Sequence, residues 1–319
     1  MSPQGGSAYN PKVLGTRTGV LRKPAFWLAL MLLADLLAQF LTLRAGWNGN
    51  PFLRLPQSDA AEYWSWSERI AEGELVGQTP FLSAPLYPYF LGLLRACGGG
   101  LLTVYVVQTL RRSLCAWLLV RLGSQRLGHP GFGLSAALLF LALAEPSFYA
   151  HRILNSSLQL LLVAGLLYAV HQVTAQRSRA RLLGAGGMLG LNVLANPTML
   201  AALPLLPLWL GWRKRADWRG SGWIAAVTLL TLVPSTLHNW AATKDSPAGA
   251  EFILVSAQAG VTYAHGNSEH AFGVYAPLPG VPAERERQNE AANLLAEQQT
   301  GESGWKNTNR YFFGLGLDW

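Results

Sequence analysis

The chain has 319 residues, of which 50% are hydrophobic and only 13% charged, with a net charge of +8. Soluble domains carry about 25% charged residues, so this composition excludes an ordinary soluble protein. The basic residues sit in short loops between apolar stretches, as membrane topology uses them, which argues against a nucleic-acid-binding face.

Residues 1–24 are polar and basic (Lys12, Arg17, Arg22, Lys23) and lead into the apolar run Ala25–Leu43. A signal peptide has a shorter apolar core and a small-residue cleavage site. The run is therefore predicted to be an uncleaved first span with a cytoplasmic N-terminus. Further spans are predicted at 101–122, 131–148, 156–175, 182–196, 197–212 and 221–241, against the roughly 20 residues a helix needs to cross the hydrocarbon core. The expected fold is an all-α polytopic bundle with a transmembrane domain over 25–241. Phe81–Cys97 is apolar but short, and Pro85 and Pro88 interrupt it. If it does not span, Arg121/Arg126, Arg177/Arg179/Arg181 and Arg213/Lys214/Arg215/Arg219 all fall on the side of the basic N-terminus. If it does, all three groups land opposite. The positive-inside rule selects the first arrangement. Phe81–Cys97 then becomes a juxtamembrane helix at the outer surface, with Tyr87 and Tyr89 suited to the headgroup zone.

Two outer segments follow, 44–100 and 242–319. The second carries turn signals at Gly266-Asn267 and Pro279-Gly280, and a helix-like run Ala283–Gln299 that reads as a surface helix with apolar Leu294 and Leu295. The aromatic-rich ending at Trp319 reads as an interrupted element, so the chain is expected to be the N-terminal part of a longer protein. Cys115 lies inside an apolar stretch, so no disulfide with Cys97 is expected. No metal-ligand spacing occurs.

Ser58-Asp-Ala-Ala-Glu-Tyr-Trp-Ser-Trp-Ser-Glu-Arg-Ile-Ala-Glu-Gly73 is the segment richest in chemistry. Tyr63, Trp66 and Ile70 recur at helical spacing, and Ser58 is placed to cap the helix. Asp59 and Glu62 are predicted to share one face of the first turn, where the helix dipole favours anions. A carboxylate there is able to take a proton from an acceptor hydroxyl or amine, although acids are common in any first helical turn. Pro80–Phe90 is expected to enter its helix through an extended turn, shaping either a lipid-facing groove or a simple anchor. In Glu145–Asn155, His151 and Arg152 would reach the outer surface. There an arginine holds either a lipid phosphate in bidentate fashion or a headgroup. Arg111 and Arg112, deep in the 101–122 span, either face a cavity or snorkel.

In this order these residues resemble the bacterial branch of the GT-C membrane glycosyltransferases, related to the dolichyl-phosphate-mannose protein mannosyltransferases (glycosyltransferase family 39). The pattern is an acid in the first outer loop, a Tyr-Trp helix and an Ala-Pro-Leu-Tyr-Pro-Tyr-Phe run: here Asp59, Tyr63-Trp64, Gly73 and Ala84–Phe90. His238-Asn239-Trp240, Ile253–Tyr263 and Gly266-Asn267 resemble that group's last span and the segment after it. Where relatives have adjacent Asp-Glu, Asp59 is followed by Ala60 and Ala61, with the acid at Glu62. The resemblance implies an inverting transferase at the plasma membrane, with its active site on the outer face. The donor would be a polyprenyl-phosphate-linked sugar and the acceptor a glycan, lipid or protein, with no cofactor required. Asp59 is the matching candidate base; from the residues themselves, Glu62, Tyr63 and Tyr87 are expected on the acceptor side, and Arg152 with His151 as the donor-phosphate ligands. A transporter or flippase of lipid-linked intermediates is the alternative; it would rely on Arg111 and Arg112 rather than on Asp59.

Overall fold

The computed structural model describes residues 17–213, 218–269, 271–273 and 275–318; Lys12, Lys214, Arg215 and Trp319 lie outside them. Among the described residues every regular element is helical. In a bilayer only a helix satisfies all its backbone N–H and C=O groups within one segment, and Leu and Ala, which dominate these runs, are strong helix formers. The long helices are α1 (Arg17–Gly49), α4 (Leu101–Leu127), α5 (Pro130–Ala142), α7 (Ser156–Ala175), α8 (Arg179–Ala195), α9 (Ala202–Trp212) and α10 (Trp218–Thr243). Between α1 and α4 lie α2 (Asp59–Ala71) and α3 (Leu86–Ala96), and the short α6 (Ala144–Ala150) follows α5. After α10 come α11 (Ala259–Gly266), α12 (Arg285–Thr300) and α13 (Trp305–Leu317).

Among the described residues three helices are long and apolar enough to cross a membrane: Pro24–Gly49, Ser156–Ala175 and Trp218–Thr243. The α5–α6 pair, bent by 61°, is a fourth if counted as one span. This falls short of about seven for definite reasons. Arg111 and Arg112 lower the apolarity of α4. The 17 residues of α8, like the 3-10 turn and helix over 197–212, are short of the roughly 20 that span unaided. These helices nonetheless pack with the others, α8 against α7 and α10, and α4 against α5 and α7. Gly190 permits one such approach: a Cβ there would lie 2.5 Å from Thr231 Cβ. Large apolar side chains, Leu33, Leu139, Leu208 and Leu230 among them, are exposed on the outside of the bundle.

The predicted 131–148 span is broken. Pro146 has no N–H, and its ring would clash with the carbonyl four residues earlier in a continuous helix. The chain instead turns at Leu143, with extended backbone, and restarts as α6. Helix α3 has only 11 residues, about 16 Å of rise, and begins where Pro85 and Pro88 allow. It does not span.

Chain direction and contacts put the two classes of loop at opposite ends. At one end, Arg181 donates to the carbonyls of Gln172 and Gln176, and the Arg179 guanidinium lies 4.6 Å from the Trp223 ring centroid. Arg126 closes α4 at this end too. At the other, Asn155 donates to the Ala195 carbonyl and Tyr105 to the Leu53 carbonyl. There α11, α12 and α13 enclose a small core of Val261, Ala264, Leu278, Val281, Ala292, Ala296 and Phe312. In α12, Ala292 and Ala296 face inward while Leu294 is exposed. Glu251 accepts from the backbone N–H groups of Trp305 and Lys306 at 2.9 and 2.8 Å, fixing the start of α13.

Asn239, fully buried in α10, fastens these parts together. Its Oδ1 accepts from Phe81 N at 2.8 Å, and its Nδ2 donates to the carbonyls of Ile253 and Val255, both at 3.0 Å. Asn239→Ala orphans three backbone groups; at about 1 kcal/mol per bond, with added desolvation, a loss of roughly 3 kcal/mol is expected. Thermal unfolding in detergent should show it, with Asn239→Asp, which keeps the acceptor, falling in between.

Candidate functional site

Helix α2 is held by its apolar side. Tyr63 packs edge-on against Tyr87, with centroids 5.1 Å apart, and Trp64 lies under the Arg95 guanidinium at 4.1 Å. Arg95 also pairs with Glu68 at 2.7 Å. Gly92 lets α3 come this close, since a Cβ there would sit 2.6 Å from Ile70 Cγ2. The expected Ser58 cap is not made: the side chain has no capping hydrogen bond, and the backbone is left-handed at φ 54°. Among the described residues Ser58 is the only non-glycine with positive φ. Such strain survives only where the surroundings enforce it.

The turn at Ser58 separates two cavities. The smaller, about 300 Å³, is lined by Phe52, Ser58, Asp59, Tyr105, Phe148 and Arg152, among others. Asp59 and Arg152, from distant parts of the chain, thus face one space. The Arg152 guanidinium lies 5.0 Å from the Phe148 centroid and 5.6 Å from that of Phe52, so aromatic faces steady the cation. It forms no ion pair among the described residues. Its backbone is fixed as well, the carbonyl accepting from Gln108 Nε2 at 2.9 Å.

The larger cavity, about 980 Å³, lies between α2 and α12 and is lined by Glu62, Trp66, Asn289, Glu290 and Trp305, among others. Asp59 and Glu62 therefore open onto different cavities rather than acting as a pair, and only Ser58 lines both. A third space, about 230 Å³ and almost wholly apolar, is bounded by Phe81, Pro85, Leu86, Tyr89, Leu194 and Pro234. Part of the Pro80–Phe90 run thus borders a groove, although no carboxylate among the described residues lines it.

Tyr87 has a different place from the acceptor-side role predicted for it. It is fully buried, and its hydroxyl donates to Gln108 Oε1 at 2.8 Å, so it offers nothing to an acceptor. Burial pushes its pKa above the usual phenol range. Gln108 is a hub that the sequence reading missed. Its Oε1 also accepts from Arg111 at 3.0 Å, and its Nε2 donates to the carbonyls of Ala150 and Arg152. A lone Gln in an apolar run was the available signal. His151 is also corrected: it is buried and does not line the Asp59–Arg152 cavity. Burial first, then the nearby Arg112 and Arg152 charges, hold its pKa below the ordinary histidine value. A neutral imidazole is a poor phosphate ligand, so of the two predicted ligands only Arg152 faces the cavity.

Arg111 and Arg112 neither snorkel nor line these cavities. Arg111 donates to Gln108 and Ser157 and lies 4.2 Å from the Phe90 ring centroid. Arg112 forms a buried ion pair with Asp35 of α1 and donates to the Leu141 carbonyl at 2.5 Å. Asp35 was overlooked in the sequence; the signal was one acid and one base within predicted spans, where charges pair with one another.

Among the described residues no group of three or more His, Cys, Asp or Glu is arranged to hold a metal ion. Comparison with protein-family models, curated proteins and solved structures finds no match to this chain.

Proposed function

We propose that the protein is a membrane glycosyltransferase that takes a sugar from a polyprenyl-phosphate carrier, with Asp59 as base and Arg152 as phosphate ligand. The observation that carries this is the shared cavity: the Asp59 carboxylate and Arg152, which forms no ion pair among the described residues, line one space at the end of the bundle away from the basic loops. In this reading α4, α8 and α9 cross the membrane with the other long helices, the basic end lies in the cytoplasm and the cavities open on the outer face. The isoprenoid chain lies along the apolar groove beside Tyr89 and Pro234. The acceptor O–H gives its proton to the Asp59 carboxylate as its oxygen attacks the anomeric carbon. The bond from that carbon to the phosphate oxygen breaks, and its electron pair leaves with polyprenyl phosphate. Arg152 holds that phosphate by charge-assisted hydrogen bonds, and attack from the face opposite the phosphate inverts the anomeric centre.

The transport alternative draws on Arg111 and Arg112, which are engaged in contacts within the bundle and line neither cavity. The test is transfer of radiolabelled sugar from a panel of polyprenyl-phosphate sugars to membrane acceptors. Arg152→Leu removes hydrogen bonds to a charged group, worth about 1.5–3 kcal/mol, so the donor KM should rise roughly 10- to 100-fold. Arg152→Lys, which keeps the charge but not the fork, should fall in between. If no donor in the panel supports transfer, or Arg152→Leu leaves the donor KM unchanged, the proposal fails.

A further inference from the structure

The cavity between α2 and α12 is too large and too differently lined to be the phosphate pocket continued. Its volume of about 980 Å³ is at the upper end for ligand sites, roughly 300–1,000 Å³, and exceeds what one monosaccharide needs. Its wall is rich in acceptors. Glu62, Glu284 and Glu290 contribute carboxylates, which when ionised only accept hydrogen bonds. Asn289 also lines it, is 7% exposed, and its buried Oδ1 has no hydrogen-bond partner among the described residues. A buried amide oxygen left unpaired costs about 1–3 kcal/mol, and a turn of the Asn289 side chain toward the cleft would let a ligand hydroxyl relieve that cost. Trp66 and Trp305, both half-buried, add flat apolar faces to the same wall.

Among the described residues this wall offers mainly acceptors, which suits a donor-rich ligand. Two indole faces need a ligand with apolar C–H surface. A pyranose ring has both, with hydroxyl donors around its edge and C–H groups on its faces. We propose that this cleft binds the acceptor and that the acceptor is a neutral oligosaccharide. Asn289 Oδ1 accepts from a sugar hydroxyl, and Trp66 and Trp305 stack on the rings. The assignment of the bound glycan as acceptor rests on the transferase reading. It is supported by Ser58, which lines both cavities, so a sugar at that end of the cleft presents its hydroxyl next to Asp59.

The test is binding of neutral manno-, gluco- and N-acetylglucosamine hexasaccharides to the full chain in detergent, by calorimetry and saturation-transfer NMR. At least one should bind. Asn289→Leu and Trp305→Ala should each weaken it tenfold or more, while Asn289→Asp, which keeps the acceptor oxygen, should weaken it less. Thermal unfolding of each variant separates lost binding from lost fold. The inference is overturned if none of the three sugars binds, if folded Asn289→Leu binds as well as wild type, or if a cationic peptide competes for the cleft and the glycans do not. Glycan binding without transfer from any donor would sink the transferase reading and leave the carbohydrate site standing.

Discussion

Asp59→Asn should lower sugar transfer by about 10²- to 10⁴-fold, the usual contribution of a positioned general base, with insertion and thermal stability close to wild type. Asp59 is exposed at the first position of α2, and asparagine is nearly isosteric. Losing the negative charge at a helix N-terminus costs only about 0.3–1 kcal/mol, too little to unfold the bundle. The fall should therefore appear in kcat at saturating donor, not in expression. Glu62→Gln is the internal comparison. Glu62 opens onto the glycan cleft, so its loss should act mainly on acceptor KM and change kcat less than tenfold. Full kcat in Asp59→Asn would remove Asp59 from the chemistry whatever Glu62→Gln does.

The largest structural effect is expected at the Asp35–Arg112 pair. Both side chains are almost fully buried, 6% and 2% exposed, and the pair ties α1 to α4. Removing one partner leaves an uncompensated charge in the interior, a loss of roughly 3–5 kcal/mol, whereas replacing both with apolar residues of similar volume is often neutral or stabilising. Arg112→Met and Asp35→Leu should each unfold at markedly lower temperature, and the double variant should recover to near wild type or above. Unfolded helices within a bilayer also find polar partners, so the coupling from the double-mutant cycle matters more than either single value. If the double variant is as unstable as the sum of the singles, the pair contributes no specific coupling. Because Arg112 also grips the Leu141 carbonyl just before the α5–α6 break, the single variants should disturb the Arg152 pocket too.

The sequence was most informative where one local rule was enough. Helix α7 runs over Ser156–Ala175, matching the predicted 156–175, because an uninterrupted apolar run between polar ends has one solution. The non-spanning character of α3 was legible from Pro85, Pro88 and the charge balance of the loops. The break at Leu143 was legible in principle from Pro146, but the high apolarity on both sides concealed it. Long-range pairings were not legible. Nothing near Asn239 in the sequence indicates that it would hold Phe81, Ile253 and Val255 together, and nothing near Gln108 indicates that it would set the height of Arg152. For the candidate site, the residue types at Asp59 and Arg152 were readable, but their shared cavity was not. Separation of Asp59 from Glu62 depended on α12 coming to lie beside one side of α2, which spacing within α2 cannot reveal.

Ser58 is held in a conformation that glycine would adopt without cost, so Ser58→Gly is the obvious way to make this protein more stable. Yet among the described residues Ser58 alone is common to the two cavities, and a more supple link there would let Asp59 drift relative to the glycan cleft. Stability and turnover thus pull in opposite directions at one position, the trade-off common where activity depends on a strained site. An engineer seeking a sturdier variant should leave this residue alone and look to the far end of the bundle.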